Sequence, residues 1–233
     1  MTDLRAYLRP YSAIHPARMV MRRGAALLEQ AMQEHLFGRV LDIGCGAKAK
    51  RHLAGPRITE YVGLDHPESP HGSEQVDILA TAYQIPQPEA AFDGIVCTAV
   101  LEHLEDPAAA LREALRVLRP GGFAVYTVPL FWHVHEAPRD FYRYTKYGLQ
   151  HLFQAAGFEV VRLSAASGFW ITFGSEWSYY LCSVARGPLR FAARALVALN
   201  NAVFPWLDRI DRRLNRDFEA FTWMYLVVAR KPA

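Results

Sequence analysis

Between residues 133 and 145 the chain reads HVHEAPRDFYRYT. His133, His135, Glu136 and Asp140 are types that move protons, Arg139 and Arg143 can clamp an anion, and Phe141, Tyr142 and Tyr144 can stack on a ring. Charges at this density do not belong in a core, where each would need a partner. Solvated loops seldom carry so many rings. The stretch therefore reads as the wall of a pocket. A second stretch, VLDIGCGAKAK (40–50), reads as strand, glycine turn, then helix. Gly44 and Gly46 would let backbone approach a ligand closely, and the helix N-terminus could hold an anion. Asp42 stands before the first glycine, where it can face an ammonium group. Asp65 ends the next apolar run, a position from which a carboxylate can accept from both ribose hydroxyls. A nicotinamide dinucleotide is the first rival, since GCGAKA approximates G-x-G-x-x-A, but it leaves Asp42 unexplained.

The elements that must hold these residues follow from periodicity. Residues 18–37 show helical spacing of apolar positions. Short apolar runs then alternate with helical segments: RVLDI (39–43), EYVGLD (60–65), VDIL (76–79), FDGIVCT (92–98) and GFAVYTVPL (122–130). Such alternation predicts a parallel sheet with helices on both faces. A helix from Pro107 has Asp106 as its N-cap and stops at R-P-G-G (119–122). Another is predicted over 146–156, between Thr145 and Gly157, and strands over 158–163 and 221–230. Lys48, Lys50 and Arg51 read as a solvated helix face. By division, residues 1–38 form an N-terminal helical segment and 39–233 the principal domain, with an apolar insertion at about 168–218.

The 233 residues are 52% hydrophobic with a net charge of +3, too small a charge to point to nucleic acid. Three cysteines without a C-x-x-C spacing argue against a disulfide framework or zinc site and for a reducing compartment. The start, MTDLRAYLRPY, carries charges where a signal peptide needs an apolar run, and no uncharged run is long enough to span a bilayer. A cytoplasmic protein is expected.

Four motifs in series, LDIGCG (41–46), FDGIV (92–96), LEHLEDP (101–107) and LRPGG (118–122), resemble the class I S-adenosylmethionine (SAM)-dependent methyltransferases of the group that carries L-D-I-G-C-G, F-D-x-V, L-E-H and L-R-P-G-G in that order. The resemblance covers most of residues 39 to 164. It implies a Rossmann-like α/β fold: a seven-stranded, mostly parallel sheet whose last strand runs antiparallel between its neighbours. It implies SAM as cofactor, with Asp42, Gly44, Cys45 and Gly46 around its methionine part, and Asp65 with His66 at the ribose. Thr81, Ala82 and Tyr83 would border the adenine, and Thr98 and Ala99 the methionine side. One position departs from the pattern: relatives carry an acid where this chain has Thr81, and a neutral acceptor forms a weaker hydrogen bond than a carboxylate.

In that fold residues 131–145 fall on the acceptor side. A hydroxyl acceptor must lose a proton, which makes His133, His135 and His103 candidate bases, with His135 favoured because Glu136 or Asp140 could orient it. Arg139, Asp140, Tyr142 and Arg143 are the candidate acceptor contacts. Asp140 and Arg143 could equally pair with each other to shape the loop. A metal held by His133 and His135 is the lesser reading, and none is assigned.

From Pro188 a helix is predicted with Leu189, Ala192, Leu196, Leu199 and Val203 on one face and Arg190, Arg194 and Asn201 opposite. Residues 186–216 hold seven arginines against Asp208 and Asp211. The segment reads as a cap on the acceptor pocket, with peripheral membrane contact and a homodimer contact as alternatives. The expected function is SAM-dependent methyl transfer, to oxygen, on a small-molecule or lipid-linked acceptor. The alternative is a degenerate, SAM-binding scaffold or regulator.

Overall fold

The computed structural model describes residues 12–233. The opening stretch 1–11, and with it the reading of a charged N-terminus, lies outside the described residues. The chain divides into two compact units. One comprises 27–130, 134–164 and 225–233 and is built on a sheet. The other comprises the residues up to Ala26, 131–133 and 165–224, and is helical.

Helix α1 (Arg18–His35), which enters the sheet unit at Leu27, leads into β1 (Gly38–Ile43), followed by β2 (Ile58–Asp65), β3 (Ile78–Leu79), β4 (Phe92–Thr98), helix α2 (Pro107–Val117), β5 (Leu118–Pro129), helix α3 (Lys146–Ala155), β6 (Glu159–Ala165) and, at the C-terminus, β7 (Met224–Arg230). The spatial order is β3-β2-β1-β4-β5-β7-β6. Strands β1 to β5 pair in parallel. β7 is inserted between β5 and β6 and runs antiparallel to β5: Gly121 N donates to Lys231 O and Lys231 N to Gly122 O.

Both faces of the sheet are covered. Leu28, Ala31 and Met32 of α1, with Leu36 just after it, pack with Val40, Val96, Val125, Leu226 and Val228 in one cluster. Alternate residues point the other way, and there Tyr126 meets Phe153 of α3 edge-on at 5.1 Å. The expected helix caps are present. The Asp106 carboxylate accepts from Ala109 N at 2.9 Å and the Thr145 hydroxyl from Gly148 N at 3.1 Å. The R-P-G-G segment ends α2 at Val117, but it is taken into β5 as a bulge: the register jumps from Phe92↔Leu118 to Gly94↔Phe123.

The glycine loop does not open an α-helix. Turns follow it, and then one short 3-10 segment, Arg51–Leu53. Lys48 and Lys50 are accordingly not a solvated helix face. The Lys48 ammonium pairs with Asp77, and Lys50 is packed in, where burial pulls its pKa down.

In the helical unit, α4 (Phe169–Val184) and α5 (Leu189–Leu214) pack against each other. A Cβ on Gly174 would lie 2.0 Å from Phe204 Cδ2, so the helices touch where glycine permits it. The predicted helix from Pro188 forms, but its apolar row faces outward; of the residues set opposite that row, Asn201 is buried while Arg190 and Arg194 are exposed. Ala193, Val197, Asn200, Asn201 and Asp208 are buried, whereas Leu189, Leu196, Leu199 and Val203 are exposed. The buried amide nitrogens have partners: Asn200 Nδ2 donates to Ser178 Oγ (3.2 Å), and Asn201 Nδ2 donates to the Ala13 and His15 carbonyls (2.8 and 3.1 Å). Asp208 accepts from the backbone N–H of Gly168 and Ile171 at the start of α4. A buried carboxylate there satisfies orphan donors and complements the helix dipole.

Candidate active site

At the C-terminal ends of β1, β2 and β4 the sheet unit opens into a cleft of about 800 Å³, a size that suits a cofactor or drug-sized ligand. It lies at the switch point where the strand order reverses between β1 and β4. Gly44, Asp65, His66, Thr81, Ala82, Tyr83, Thr98 and Ala99 all line it, so most of the residues assigned to the cofactor come together on one wall.

The loop after β1 is built for close approach. Gly44 has φ +72°, and a Cβ on it would fall 2.3 Å from Val100 Cγ2. Asp65 holds the loop from below: its Oδ2 accepts from Gly46 N at 2.6 Å and its Oδ1 from His66 N at 2.7 Å. A carboxylate has about four acceptor sites, so two remain for the cleft. Cys45 and Gly46 serve the loop and are not among the lining residues. Asp42 also differs from expectation. It is buried, Oδ2 accepts from the Tyr61 hydroxyl at 2.8 Å, and Oδ1 has no partner. Burial pushes its carboxyl up to about 7.

Asp77 does not replace the acid missing at Thr81: it is not among the residues lining the cleft, and its Oδ2 is held by Lys48 and Gly63 N. The Tyr83 hydroxyl accepts from Asp106 N at 3.3 Å, which ties the adenine-side turn to the start of α2. Ala99 and Glu136, both lining residues, adopt φ of +52°, unusual for residues with a Cβ and typical of sites held under constraint.

His103, Glu136, Arg139 and Phe141 line the same cleft. His103 Nδ1 lies 2.5 Å from the Arg139 carbonyl oxygen. A carbonyl can only accept, so Nδ1 carries the proton and neutral His103 has its lone pair at Nε2. Nε2 stands between two carboxyl groups, Glu102 Oε1 at 3.9 Å and Glu136 Oε2 at 3.8 Å. Glu102 was not singled out from the sequence. It is fully buried, both its carboxyl oxygens lack a hydrogen-bond partner, and burial raises it to about 8.

His135 contacts His103 edge-on, with ring centroids 4.8 Å apart, and is not itself among the lining residues. Its Nδ1 is 3.4 Å from Asp140 Oδ2, and its backbone N donates to the same oxygen. Asp140 and Arg143 form the two-pronged pair foreseen as the bland reading, at 2.6 and 2.8 Å, and the Arg143 guanidinium holds the carboxyl of Asp140 far below the usual range. Both residues shape the loop. Arg139 instead reaches the cleft, with its guanidinium on Glu68 at 3.0 Å, while the Tyr142 hydroxyl donates to the Glu105 carbonyl. The Tyr144 hydroxyl donates to Leu101 O at 2.9 Å and is structural. His133 belongs to the helical unit, where Nδ1 meets Glu176 at 3.1 Å and its ring packs between Trp132 and Tyr179. Groups of metal-ligating type gather not at His133 and His135 but at Glu102, His103 and His135, within 4.8 Å of one another.

A family model described as a methyltransferase domain matches residues 15–163, well over half of the chain. A ubiquinone biosynthesis O-methyltransferase of Aliivibrio fischeri is 26% identical over 137 residues, which cover 54% of this chain and 56% of that protein. The chain thus spans about half the length of the curated relatives it matches. Among solved structures, the [4+2]-cyclase SpnF superposes with a TM-score of 0.59 at 21% identity, covering 91% of this chain and 81% of that one. A phospholethanolamine N-methyltransferase of Haemonchus contortus, solved with S-adenosylhomocysteine, gives 0.55 at 16%, covering 100% and 61%. The motif series, the strand order and the glycine loop above Asp65 agree with these matches: the chain belongs to the methyltransferase domain family, among the class I enzymes whose cofactor is SAM.

Proposed function

We propose that the cleft transfers a methyl group from SAM to an oxygen of a small-molecule or lipid-linked acceptor. The observation that carries this reading is the state of His103: its Nδ1 proton is fixed by the Arg139 carbonyl and its Nε2 lone pair is left to the cleft. The curated relatives are named as O-methyltransferases, which supports the choice of oxygen.

Bound SAM supplies an electrophilic methyl group on a sulfonium. The chain does the rest. Gly44 admits the ligand next to backbone, Asp65 offers its spare lone pairs to a diol, and Thr81 to Tyr83 form a wall for a flat ring. His103 accepts the hydroxyl proton of the acceptor at Nε2, and Glu136 and Glu102 flank the imidazolium that results. Phe141 excludes water in the same cleft, and Arg139 can exchange its exposed partner Glu68 for an anionic group of the acceptor. The sequence favoured His135; the geometry favours His103, with His135 as its neighbour.

The test is S-adenosylhomocysteine formation with phenols and catechols, each offered with and without a lipid tail. The reading expects turnover with at least one, and a loss of about a hundredfold to ten-thousandfold in His103→Ala with SAM affinity retained. Turnover unchanged in that variant would remove the base. No product with any acceptor, with SAM bound, would favour the scaffold reading, which Thr81 supports. Metal assistance is a further reading of the Glu102–His103–His135 trio. Its mark would be turnover lost to a chelator and restored by a divalent ion.

A further inference from the structure

Helices α4 and α5 of the helical unit are each packed on one side and apolar on the other. On α4, Phe169, Phe173, Trp177, Tyr180 and Val184 are all exposed. Their spacing of three or four residues makes one stripe. The rings stack along it, Phe169 on Phe173 at 5.6 Å and 4°, Phe173 on Trp177 at 6.5 Å and 5°. On α5 the exposed apolar row is Leu189, Leu196, Leu199, Val203, Trp206, Ile210 and Leu214, with Leu189, Trp206 and Leu214 at least 60% exposed. Phe173 of the α4 stripe also lies against half-buried Phe204 of α5, the ring centroids 6.2 Å apart. A face of this extent exceeds what a soluble surface carries by chance.

The charges say what covers it. Between residues 169 and 216 there are seven arginines and three acids. Glu176 is tied to His133, Asp208 is buried under the start of α4, and Asp211 is half-buried. Arg186, Arg190, Arg194, Arg209, Arg212, Arg213 and Arg216 are all exposed. Every fully exposed charge on the hairpin is therefore positive. A second copy of the chain would bring the same arginines against them, whereas an anionic bilayer offers acyl chains to the rings and phosphates to the guanidinium groups. No helix among the described residues is long and apolar enough to cross a membrane, so a helix of this kind would lie along the surface. We propose that the exposed face of α4 and α5 docks the protein on an anionic lipid surface.

This inference stands apart from the methyl-transfer reading, and its test uses no turnover. The full-length protein is co-sedimented with vesicles of phosphatidylcholine alone and of equal parts phosphatidylcholine and phosphatidylglycerol. Binding is expected to the mixed vesicles, to weaken as salt is raised, and to fall about tenfold or more in a Leu199→Glu, Trp206→Glu variant. Circular dichroism checks that this variant is folded. An Arg209→Gln, Arg213→Gln variant, altered only in exposed charge, should also bind more weakly. Failure to sediment with the mixed vesicles overturns the proposal, as does equal binding to both compositions at every salt. A stable dimer in sedimentation velocity, split by the apolar-to-acid variant and indifferent to vesicles, would assign the face to a second copy instead.

Discussion

Glu102 shows at single-residue scale how the site is set. Its carboxyl has no hydrogen-bond partner and no water-facing surface, and burial lifts it from 4.5 to about 8. The folded chain thus keeps a proton that the unfolded chain gives up. Its contribution to stability is complete below pH about 4.5 and is lost as the pH rises to about 8. Glu102→Gln, which cannot ionise, should melt progressively higher than the parent between about pH 5 and about pH 9, a difference that thermal unfolding across that range would read. A constant difference would mean that Glu102 is solvated. The same substitution should change the pH dependence of turnover, because the imidazolium of His103 would lose one of its two flanking carboxyls. Asp65 belongs to this scale too. Asp65→Ala removes the acceptor for Gly46 N and His66 N as well as the proposed diol contact, so SAM affinity should fall by about tenfold to a hundredfold, read by titration calorimetry. The residues that the sequence made legible are those whose role follows from position on a strand end, Gly44, Asp65 and Thr98 among them. Glu102 stayed hidden because nothing in its neighbours announces that a carboxylate beside a histidine will be sealed from water without a partner.

At the scale of elements, the strands were legible where an apolar run is closed at both ends. FDGIVCT is β4 residue for residue, bounded by a turn and by Ala99 at positive φ. The loop after β1 misled because Ala and Lys have good helix propensity, yet Lys48 takes φ +51°, outside the helical region, with its ammonium on Asp77. The apolar row of α5 stands outward for a related reason. Hydrophobic spacing marks the face that prefers to leave water, but Asn200, Asn201 and Asp208 are drawn inward by donors and acceptors that only the folded chain presents. The account predicts that Asp208→Ala, which strips the start of α4 of its acceptor, costs about 1–3 kcal/mol in denaturant unfolding. Gly174→Ala should cost a similar amount or more, since its Cβ would sit inside Phe204 and force the two helices apart. A neutral result for Gly174→Ala would mean that Phe204 yields, and that this contact does not set the helix spacing.

For the molecule as a whole, two kinds of surface coexist: a lined cleft in the sheet unit and an exposed apolar, arginine-flanked face in the helical unit. The fold class was readable from the alternation of runs and from four motifs in order, and the strand order, with β7 between β5 and β6, agrees with it. The acceptor is not readable in the same way, because pocket shape rather than motif selects it. The central claim is that the cleft holds SAM through the loop after β1 and Asp65. The most direct test is thermal unfolding of the parent and of Asp65→Ala with SAM at about a hundredfold above the parent Kd. Binding should then add about 2.7 kcal/mol to the parent. That corresponds to a rise of roughly 5–10 °C for a chain of this length, and the rise should shrink in the variant. An equal rise in both would contradict the role given to Asp65, and no rise in a folded parent would contradict SAM binding itself.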